Sequence, residues 1–238
     1  MSTGESDGRH ASRSPEGFRQ ARFRPPSGST TLLLVRHGES AAADPDRPFD
    51  LVDGHGDPPL HPDGELQSEA LGERLAIEHD AGETIDAIYV TTLRRTAQTA
   101  GPLARRLGLV PAVEPDLREV HLGDWEGGRF RERVAAGDPI VARIFAEERW
   151  DVVPGAERYE DFDARTERGL ARIVAANPGR RVVVVVHGGV IGQLLHRATG
   201  SSPFAFAGAD NASISELVDL GQRRILRRFN DTAHLRQE

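Results

Sequence analysis

The apolar positions of this chain form short continuous runs that are separated by longer amphipathic stretches. Residues 32–35 read Leu-Leu-Leu-Val, and residues 182–186 are five valines in a row. Runs of this kind are typical of strands that are covered on both faces of a sheet. Between them, apolar residues recur at helical spacing. The alternation predicts an α/β fold, a three-layer sandwich in which a mostly parallel central sheet carries helices on both faces.

The same pattern divides the chain into elements. Strands are predicted at 31–36, 85–90, 110–113 and 181–186, followed by a hairpin of 214–220 and 223–229 near the sheet edge. Helices are predicted at 63–78, at 93–107, within 156–176, from Gly189 through Ala198, and in parts of 127–154. The proline-rich stretch 41–62 is expected to be loop, and the tail from Asp231 is expected to fray.

Two of these helices carry more detailed expectations. The inner stripe of the helix at 63–78 is expected to comprise Leu66, Ala70, Leu71 and Leu75, with Ile77 beside it. Thr91 and Thr92 are expected to cap the helix at 93–107. Gly108 is expected to end that helix.

The first thirty residues differ from the rest of the chain. Residues 1–30 are rich in Ser, Gly, Arg and Pro and lack periodicity, which predicts a disordered N-terminal leader. The leader has no apolar central region, so it does not match a secretory signal. No linker-like composition interrupts the remainder, and residues 31–238 are predicted to form one domain.

Composition narrows the range of functions. The chain has no cysteine, which excludes disulfides, thiolate metal sites and cysteine nucleophiles. The net charge is −7 and the arginines form no clustered basic face, so we expect no nucleic-acid partner. No apolar run approaches the roughly 18 residues of a membrane span. We therefore expect no membrane partner. The absence of cysteine is compatible with a reducing cytoplasm, and we expect a cytoplasmic location.

Polar residues suited to phosphate follow three of the predicted strands. They are Arg36-His37-Gly38, Thr91-Thr92 with Arg94 and Arg95, and His187-Gly188-Gly189. If the three strands are parallel neighbours, these junctions open on one sheet edge, where open α/β sheets bind ligands. Helix N-termini there favour an anion, and arginine forks match phosphate oxygens. The glycines let backbone approach a ligand closely.

His37 has the properties of a nucleophile in such a pocket. Nearby cations lower the pKa of an imidazole, which leaves a ring nitrogen free near neutral pH. That nitrogen can attack phosphorus while Arg36, Arg95 and His187 stabilise the phosphoryl oxygens. A carboxylic acid at the rim would protonate the leaving group. A single histidine after a strand is more often a structural hydrogen-bonding group, but two His-Gly junctions favour a catalytic site.

Six segments together resemble the histidine phosphatase superfamily, also called phosphoglycerate mutase-like. They are LVRHGES at 34–40, PLHPDG at 59–64, TLRRTAQTA at 92–100, LREVHLGDWEG at 117–127, VHGGVI at 186–191 and NASI at 211–214. The resemblance spans residues 31–230. Arg-His-Gly alone is a weak signal, whereas the six segments together are specific.

The resemblance implies roles for individual residues. His37 would form a phosphohistidine, and Glu119 takes the position of the proton donor. Arg95 rather than Arg94 matches the second phosphate arginine, because it stands three residues before Gln98. The substrate phosphate would be bound by Arg36, Arg95, His187 and Gly188. The resemblance implies neither a metal nor a cofactor.

Three functions stay open at this point. The favoured one is a metal-independent phosphomonoester hydrolase acting on a small phosphorylated metabolite. A phosphoglycerate mutase is the alternative, and a non-catalytic module that binds phosphate ligands is the third. The mutase branch typically continues its signature with tryptophan and asparagine, whereas three alanines occupy 41–43 here. Residues 127–158 are expected to form a wall of the substrate site, with most of their arginines facing solvent, and a homodimer is left open.

Overall fold

The computed structural model describes residues 20–235. The strands are β1 (Thr30–Arg36), β2 (Leu51–Val52), β3 (His55–Gly56), β4 (Ala87–Val90), β5 (Ala112–Val113), β6 (Arg181–Val186), β7 (Ile214–Asp219) and β8 (Arg224–Asp231). The helices are α1 (Pro62–Asp80), α2 (Arg94–Leu107), α3 (Arg129–Ala135), α4 (Pro139–Glu147), α5 (Tyr159–Ala176) and α6 (Gly188–Thr199). Short 3-10 turns lie at Pro115–Leu117, Gly123–Trp125 and Ala233–Leu235.

Six strands form the central sheet in the order β5-β4-β6-β1-β7-β8. The first four are parallel, and β7 and β8 run antiparallel at the other edge. The predicted α/β sandwich with a mostly parallel sheet is therefore confirmed, as is the hairpin near the sheet edge. Because β4, β6 and β1 are parallel neighbours, their carboxyl ends lie side by side. The three strand-to-helix junctions therefore open on one edge of the sheet, as predicted.

Each central strand is buried on both faces. Leu32 and Leu34 of β1 pack with the valines of β6 against α5 and α6, where Leu170 is fully buried. On the opposite face, Leu33 and Val35 pack against α1 and α2. Fully burying one such side chain contributes roughly 1.5–3 kcal/mol. The absence of polar alternation in the two runs follows directly from this double coverage.

The inner stripe predicted for α1 is partly wrong. Leu71 and Leu75 are buried, but Leu66 is 69% and Ile77 62% exposed, and Ala70 is only half-buried. The contact face of α1 also includes small residues, and a Cβ on Gly72 would lie 2.9 Å from Pro102 Cβ of α2. Because the two helices approach closely, small residues of α1 form much of the buried face, and Leu66 and Ile77 remain exposed.

The start of α2 also differs from the prediction. The helix is preceded by Leu93 and has no side-chain cap, so Thr91 and Thr92 do not cap it. The Thr91 hydroxyl instead contacts a histidine of the site described below. Gly108 ends the helix with a positive φ of 65°, as predicted.

The C-terminal tail is docked rather than frayed as far as residue 235. β8 includes Asp231, whose carboxylate accepts hydrogen bonds from Arg74 of α1 at 2.6 and 3.1 Å. His234 contacts the carbonyl oxygen of Ala212 at 3.1 Å. The stretch 41–62 is largely irregular, except for the small antiparallel pair β2–β3.

The predicted leader falls largely outside the described residues. Residues 1–19 are outside them, and residues 20–29 contain a turn before β1. The boundary at residue 30 and the disorder of the leader stay predictions. Within 20–235, no helix has the length and apolar character needed to cross a bilayer.

Candidate active site

The end of β1 places His37 at the carboxyl edge of the sheet. Its backbone N–H donates to the carbonyl of Val186 at 3.0 Å, and its carbonyl accepts from Asn211 Nδ2 at 3.0 Å. The side chain is 6% exposed. Neighbouring β6 and the segment before β7 therefore fix the backbone from which the imidazole projects.

Two contacts define the tautomer of His37. Arg95 Nε donates to His37 Nε2 at 3.2 Å, and His37 Nδ1 lies 2.7 Å from the carbonyl oxygen of Gly38. Because a guanidinium nitrogen can only donate, Nε2 must carry a lone pair and Nδ1 the proton. Burial, followed by the charges of Arg95 and Arg36, lowers the pKa of His37 well below its ordinary value. The imidazole is thus neutral, with its lone pair on Nε2, the atom that contacts Arg95.

The adjacent arginines of α2 have different surroundings. Arg95 is 7% exposed and also donates from Nη1 to the carbonyl of Gly56 at 3.0 Å. Arg94 is half-exposed and forms an ion pair with the buried Asp57 at 2.9 Å. Only Arg95 contacts His37, so the structure brings to the site the arginine that the resemblance selects.

Arg36 lies between the first and third junctions. One terminal nitrogen donates to the carbonyl of Ala209, whereas its buried Nε has no hydrogen-bond partner among the described residues. A Cβ on Gly188 would lie 3.5 Å from that Nε. The guanidinium therefore passes directly over the glycine that opens α6, and a donor is left for an anion.

His187 is fully buried behind His37. The two ring centroids are 5.2 Å apart, and His187 Nε2 lies 3.0 Å from the Thr91 hydroxyl oxygen. Nδ1 has no partner among residues 20–235. Burial, with the charge of Arg95 next, lowers the pKa of His187 well below its ordinary value. Since Nε2 is occupied, Nδ1 is the atom left for a phosphoryl oxygen.

Glu119 reaches the site from the loop after β5. Its carboxylate accepts from the N–H of Val120 at 3.0 Å and of Gly189 at 3.2 Å. Burial raises the pKa of Glu119 despite these two donors and the nearby arginines. A Cβ on Gly189 would lie 2.5 Å from Oε1, which explains the second glycine after His187. A carboxyl group that holds its proton longer than usual suits a general acid.

Two further side chains hold the Glu119 backbone in place. His55 Nε2 lies 3.1 Å and Arg165 Nη2 2.8 Å from the carbonyl oxygen of Glu119. His55 is buried, and its contact with the Glu119 carbonyl is structural.

These side chains surround a pocket of about 340 Å³, here called the phosphate pocket. Its lining includes Arg36, His37, Arg95, Glu119, Phe130, Arg131 and Trp150. The structure thus brings together Arg36, His37, Arg95 and Glu119 around one space, with His187 and Gly188 adjoining it. Their individual roles in catalysis stay predictions.

The family profile of the histidine phosphatase superfamily (branch 1) matches residues 32–232. The chain belongs to this superfamily. Phosphoglycerate mutase-like protein 4 of Arabidopsis thaliana is 34% identical over 174 residues, which are 72% of each chain. The metal-independent phosphoserine phosphatase of the same plant is 29% identical and is matched over 87% of this chain and 83% of its own.

A solved structure of this superfamily has the same fold. The native structure of mycobacterial glucosyl-3-phosphoglycerate phosphatase superposes with a TM-score of 0.68 at 29% identity. The match covers 86% of this chain and all of that one (100%). The resemblance inferred from the six segments is therefore confirmed at the level of family and fold, and relatives in the superfamily are named as phosphatases.

Arg131 of α3 is a site residue that sequence reasoning did not single out. Its terminal nitrogens donate to the Ala41 carbonyl at 2.7 Å and to Ser40 Oγ at 2.6 Å. It lines the phosphate pocket, and its charge contributes to the lowered pKa of His37. No local signal separates it from the other arginines of 127–158. Only the folding of α3 over the end of β1 reveals the contact.

One group of potential metal ligands occurs among the described residues. Glu39, His61 and Asp63 each offer an atom within 4.8 Å of the others. Glu39 and Asp63 are exposed, and His61 Nδ1 accepts a hydrogen bond from the Asp63 N–H at the start of α1. None of the three side chains is among the predicted site residues.

Proposed function

We propose that the protein is a phosphomonoester hydrolase that forms a phosphohistidine at His37 and acts on a small phosphorylated metabolite. The pair of contacts at His37 carries this proposal. Arg95 donates to Nε2 and Gly38 accepts from Nδ1, so the unprotonated nitrogen faces the arginine that would hold a phosphoryl group. The same guanidinium is therefore placed to contact a phosphoryl group bound to this nitrogen.

In the first step, the Nε2 lone pair of His37 attacks phosphorus and the ester P–O bond breaks. Arg36, Arg95 and His187 Nδ1–H stabilise the phosphoryl oxygens as charge redistributes over them. The proton of Glu119 passes to the leaving oxygen, which departs as a neutral alcohol. The products of this step are phosphohistidine, the alcohol and an ionised Glu119.

In the second step, water attacks the phosphohistidine and Glu119 takes one of its protons. The P–N bond breaks and inorganic phosphate leaves, which returns His37 to its neutral form and Glu119 to its acid form. The raised pKa of Glu119 suits both tasks, because it favours the protonated form in the first step and the recovery of the proton in the second.

Hydrolysis is favoured over transfer between phosphoglycerates by the alanines at 41–43 and by the names of several relatives. Metal independence is supported by the name of one relative, the plant phosphoserine phosphatase. The mutase alternative draws on the name of another, the phosphoglycerate mutase-like protein. A cytoplasmic location and a possible homodimer belong to the same proposal, and sedimentation analysis tests the latter.

Phosphate release from sugar phosphates, phosphoglycerates, nucleotides and phosphoamino acids tests the proposal. Release that persists in EDTA is expected, and loss in EDTA with rescue by a divalent ion would contradict metal independence. Interconversion of phosphoglycerates that depends on a bisphosphate primer would favour the mutase. Tight binding of phosphate esters without turnover across the panel would favour the non-catalytic module.

A further inference from the structure

A second cavity of about 320 Å³ adjoins the phosphate pocket. It is called the aromatic pocket here, and its lining comprises Arg36, Glu119, Phe130, Phe145, Trp150, Gly188, Gly189, Gly192, Gln193, Pro203, Phe204, Ala207 and Gly208. Four of these residues also line the phosphate pocket: Arg36, Glu119, Phe130 and Trp150. The two spaces therefore meet at the proposed proton donor.

The position of Glu119 indicates what the aromatic pocket receives. His37 lines the phosphate pocket but not the aromatic pocket, whereas Glu119 lines both. In phosphoryl transfer the attacking and leaving atoms lie roughly in line on opposite sides of phosphorus. A leaving oxygen protonated by Glu119 thus lies at the mouth of the aromatic pocket, and the rest of the alcohol extends into it.

Aromatic rings form one wall of this pocket. The ring centroids of Trp150 and Phe204 are 5.0 Å apart, those of Phe130 and Trp150 6.0 Å, and those of Phe145 and Phe204 6.1 Å. Phe145 is 57% exposed although it lies in this cluster. Exposed aromatic surface at the mouth of a concave, mostly apolar cavity is typical of a ligand site.

Glycines of α6 form another part of the lining. Gly188, Gly189 and Gly192 lie in the first turns of α6 and expose backbone to the cavity. A Cβ on Gly192 would lie 3.4 Å from the Phe206 carbonyl oxygen, so this helix runs close to the segment before β7. The lining therefore combines aromatic rings with residues that lack bulky side chains, and aromatic rings stack favourably on a flat apolar group.

The charges of the lining disfavour a carboxylate on the leaving group. Arg36 and Glu119 are the only ionisable residues in the described lining, and the proposed mechanism uses Arg36 to hold the phosphoryl group and Glu119 as an uncharged acid. Gln193 is neutral, and its amide nitrogen donates to Asp163 at 2.7 Å. A carboxylate on the leaving group would lose water beside Glu119 without gaining a cation of its own, which is unfavourable.

We propose that the aromatic pocket selects phosphomonoesters whose leaving group is an uncharged alcohol with a flat apolar body, such as an aryl-bearing alcohol. This inference rests on the proposed hydrolase function and specifies its substrate class. It sets the chain apart from relatives whose names specify phosphoserine or glucosyl-3-phosphoglycerate, since both of those esters carry a carboxylate.

A matched pair of esters tests the charge argument. Benzyl phosphate and para-carboxybenzyl phosphate present the same reacting bond and the same ring, and differ by one carboxylate. We expect kcat/KM for benzyl phosphate to exceed that for the carboxylated ester by about tenfold or more. Equal turnover of the two, or faster turnover of the carboxylated ester, would overturn the inference.

Variants of the wall test the location. Phe145→Ala removes an exposed ring with little risk to folding, and Phe204→Ala removes its neighbour. Each is expected to lower kcat/KM for benzyl phosphate about tenfold by raising KM. The decrease in kcat/KM for the carboxylated ester should be smaller. Val113→Ala is the control, since this residue of edge strand β5 is 59% exposed. It should leave kcat/KM for both esters unchanged.

Two outcomes separate this inference from the function on which it rests. If the wall variants reduce kcat/KM for both esters by the same factor, the leaving group does not lie in the aromatic pocket. In that case the inference fails and the proposed hydrolase function stands. If phosphohistidine forms with other esters but benzyl phosphate is not turned over, the inference again fails alone. If no ester yields phosphohistidine or inorganic phosphate, the proposed hydrolase function fails.

Discussion

Two regions border the phosphate pocket, and they are built differently. The strand-end region consists of the junctions after β1, β4 and β6. Its key side chains, among them Arg95 and His187, are buried and held by hydrogen bonds. The covering segment, residues 127–154, contains α3, which has no buried residue, and α4, which has one, Ile144. The rigid region is suited to chemistry common to a superfamily, and the exposed one to the choice of substrate.

The largest effect is expected within the strand-end region. Arg95→Ala should reduce kcat by about 10³-fold or more, because it removes the buried donor proposed to hold the transferring phosphoryl group. Arg94→Ala is the matched control and should have a small effect on kcat, since that side chain pairs with Asp57. Steady-state kinetics with one ester distinguishes them. Similar losses in both variants would contradict the assignment of Arg95.

A second test concerns the proton donor and its pH dependence. Glu119→Gln should reduce kcat by about 10²- to 10³-fold. Burial raises the pKa of Glu119, so the acid form is present below that raised value and activity is lost as pH rises through it. The variant should lack this alkaline limb. It should retain the acid limb, where activity falls as pH drops through the lowered pKa of His37.

The pH profile of kcat/KM therefore checks both groups. An unchanged alkaline limb in Glu119→Gln would mean that another residue causes that limb. It would contradict the assignment of Glu119 as the general acid.

A third test compares the stability contributed by the buried and the exposed faces of α1. Leu71→Ala should destabilise the protein by about 2–5 kcal/mol, because a fully buried side chain leaves a cavity between α1 and α2. Leu66→Ala, on the exposed face of the same helix, should change the free energy of unfolding by about 0.5 kcal/mol or less. Urea denaturation measures both. Equal losses would mean that Leu66 is buried in solution, for example in a dimer.

The smallest effect is expected in the covering segment. Arg131→Ala should lower kcat/KM by about tenfold or less, since a cation at a partly exposed position acts through screened charge. Arg133→Ala removes a neighbouring arginine that pairs with Asp138 at 3.2 Å and should have no effect. A loss as large as that in Arg95→Ala would place Arg131 among the groups that stabilise the transferring phosphoryl.

The strand-end region could be predicted from the sequence because local rules determine it. A run of five valines is typical of a doubly covered strand, and polar residues that end such a strand lie at a sheet edge. The neighbour relation of β4, β6 and β1 follows from the fold of the superfamily. Each of these features depends on residues that are adjacent in the sequence or on strands that are adjacent in the sheet.

The remaining features depend on contacts between distant segments. Glu119 could be selected from 37 acidic residues only through the resemblance, because its burial depends on the approach of α6. Arg131 gave no signal because its partners, Ser40 and Ala41, lie about ninety residues away along the chain. The stripe of α1 was misplaced because helical periodicity does not show how closely a neighbouring helix can approach Gly72.

The most direct test of the account is chemical trapping of the intermediate. Brief exposure to a phosphate ester, followed by rapid quenching, should leave an acid-labile, alkali-stable phosphoryl group that peptide mapping assigns to His37. The same treatment of His37→Ala should leave none. Failure to find any phosphoenzyme in the wild-type protein, or undiminished labelling in His37→Ala, would contradict phosphohistidine chemistry at this site.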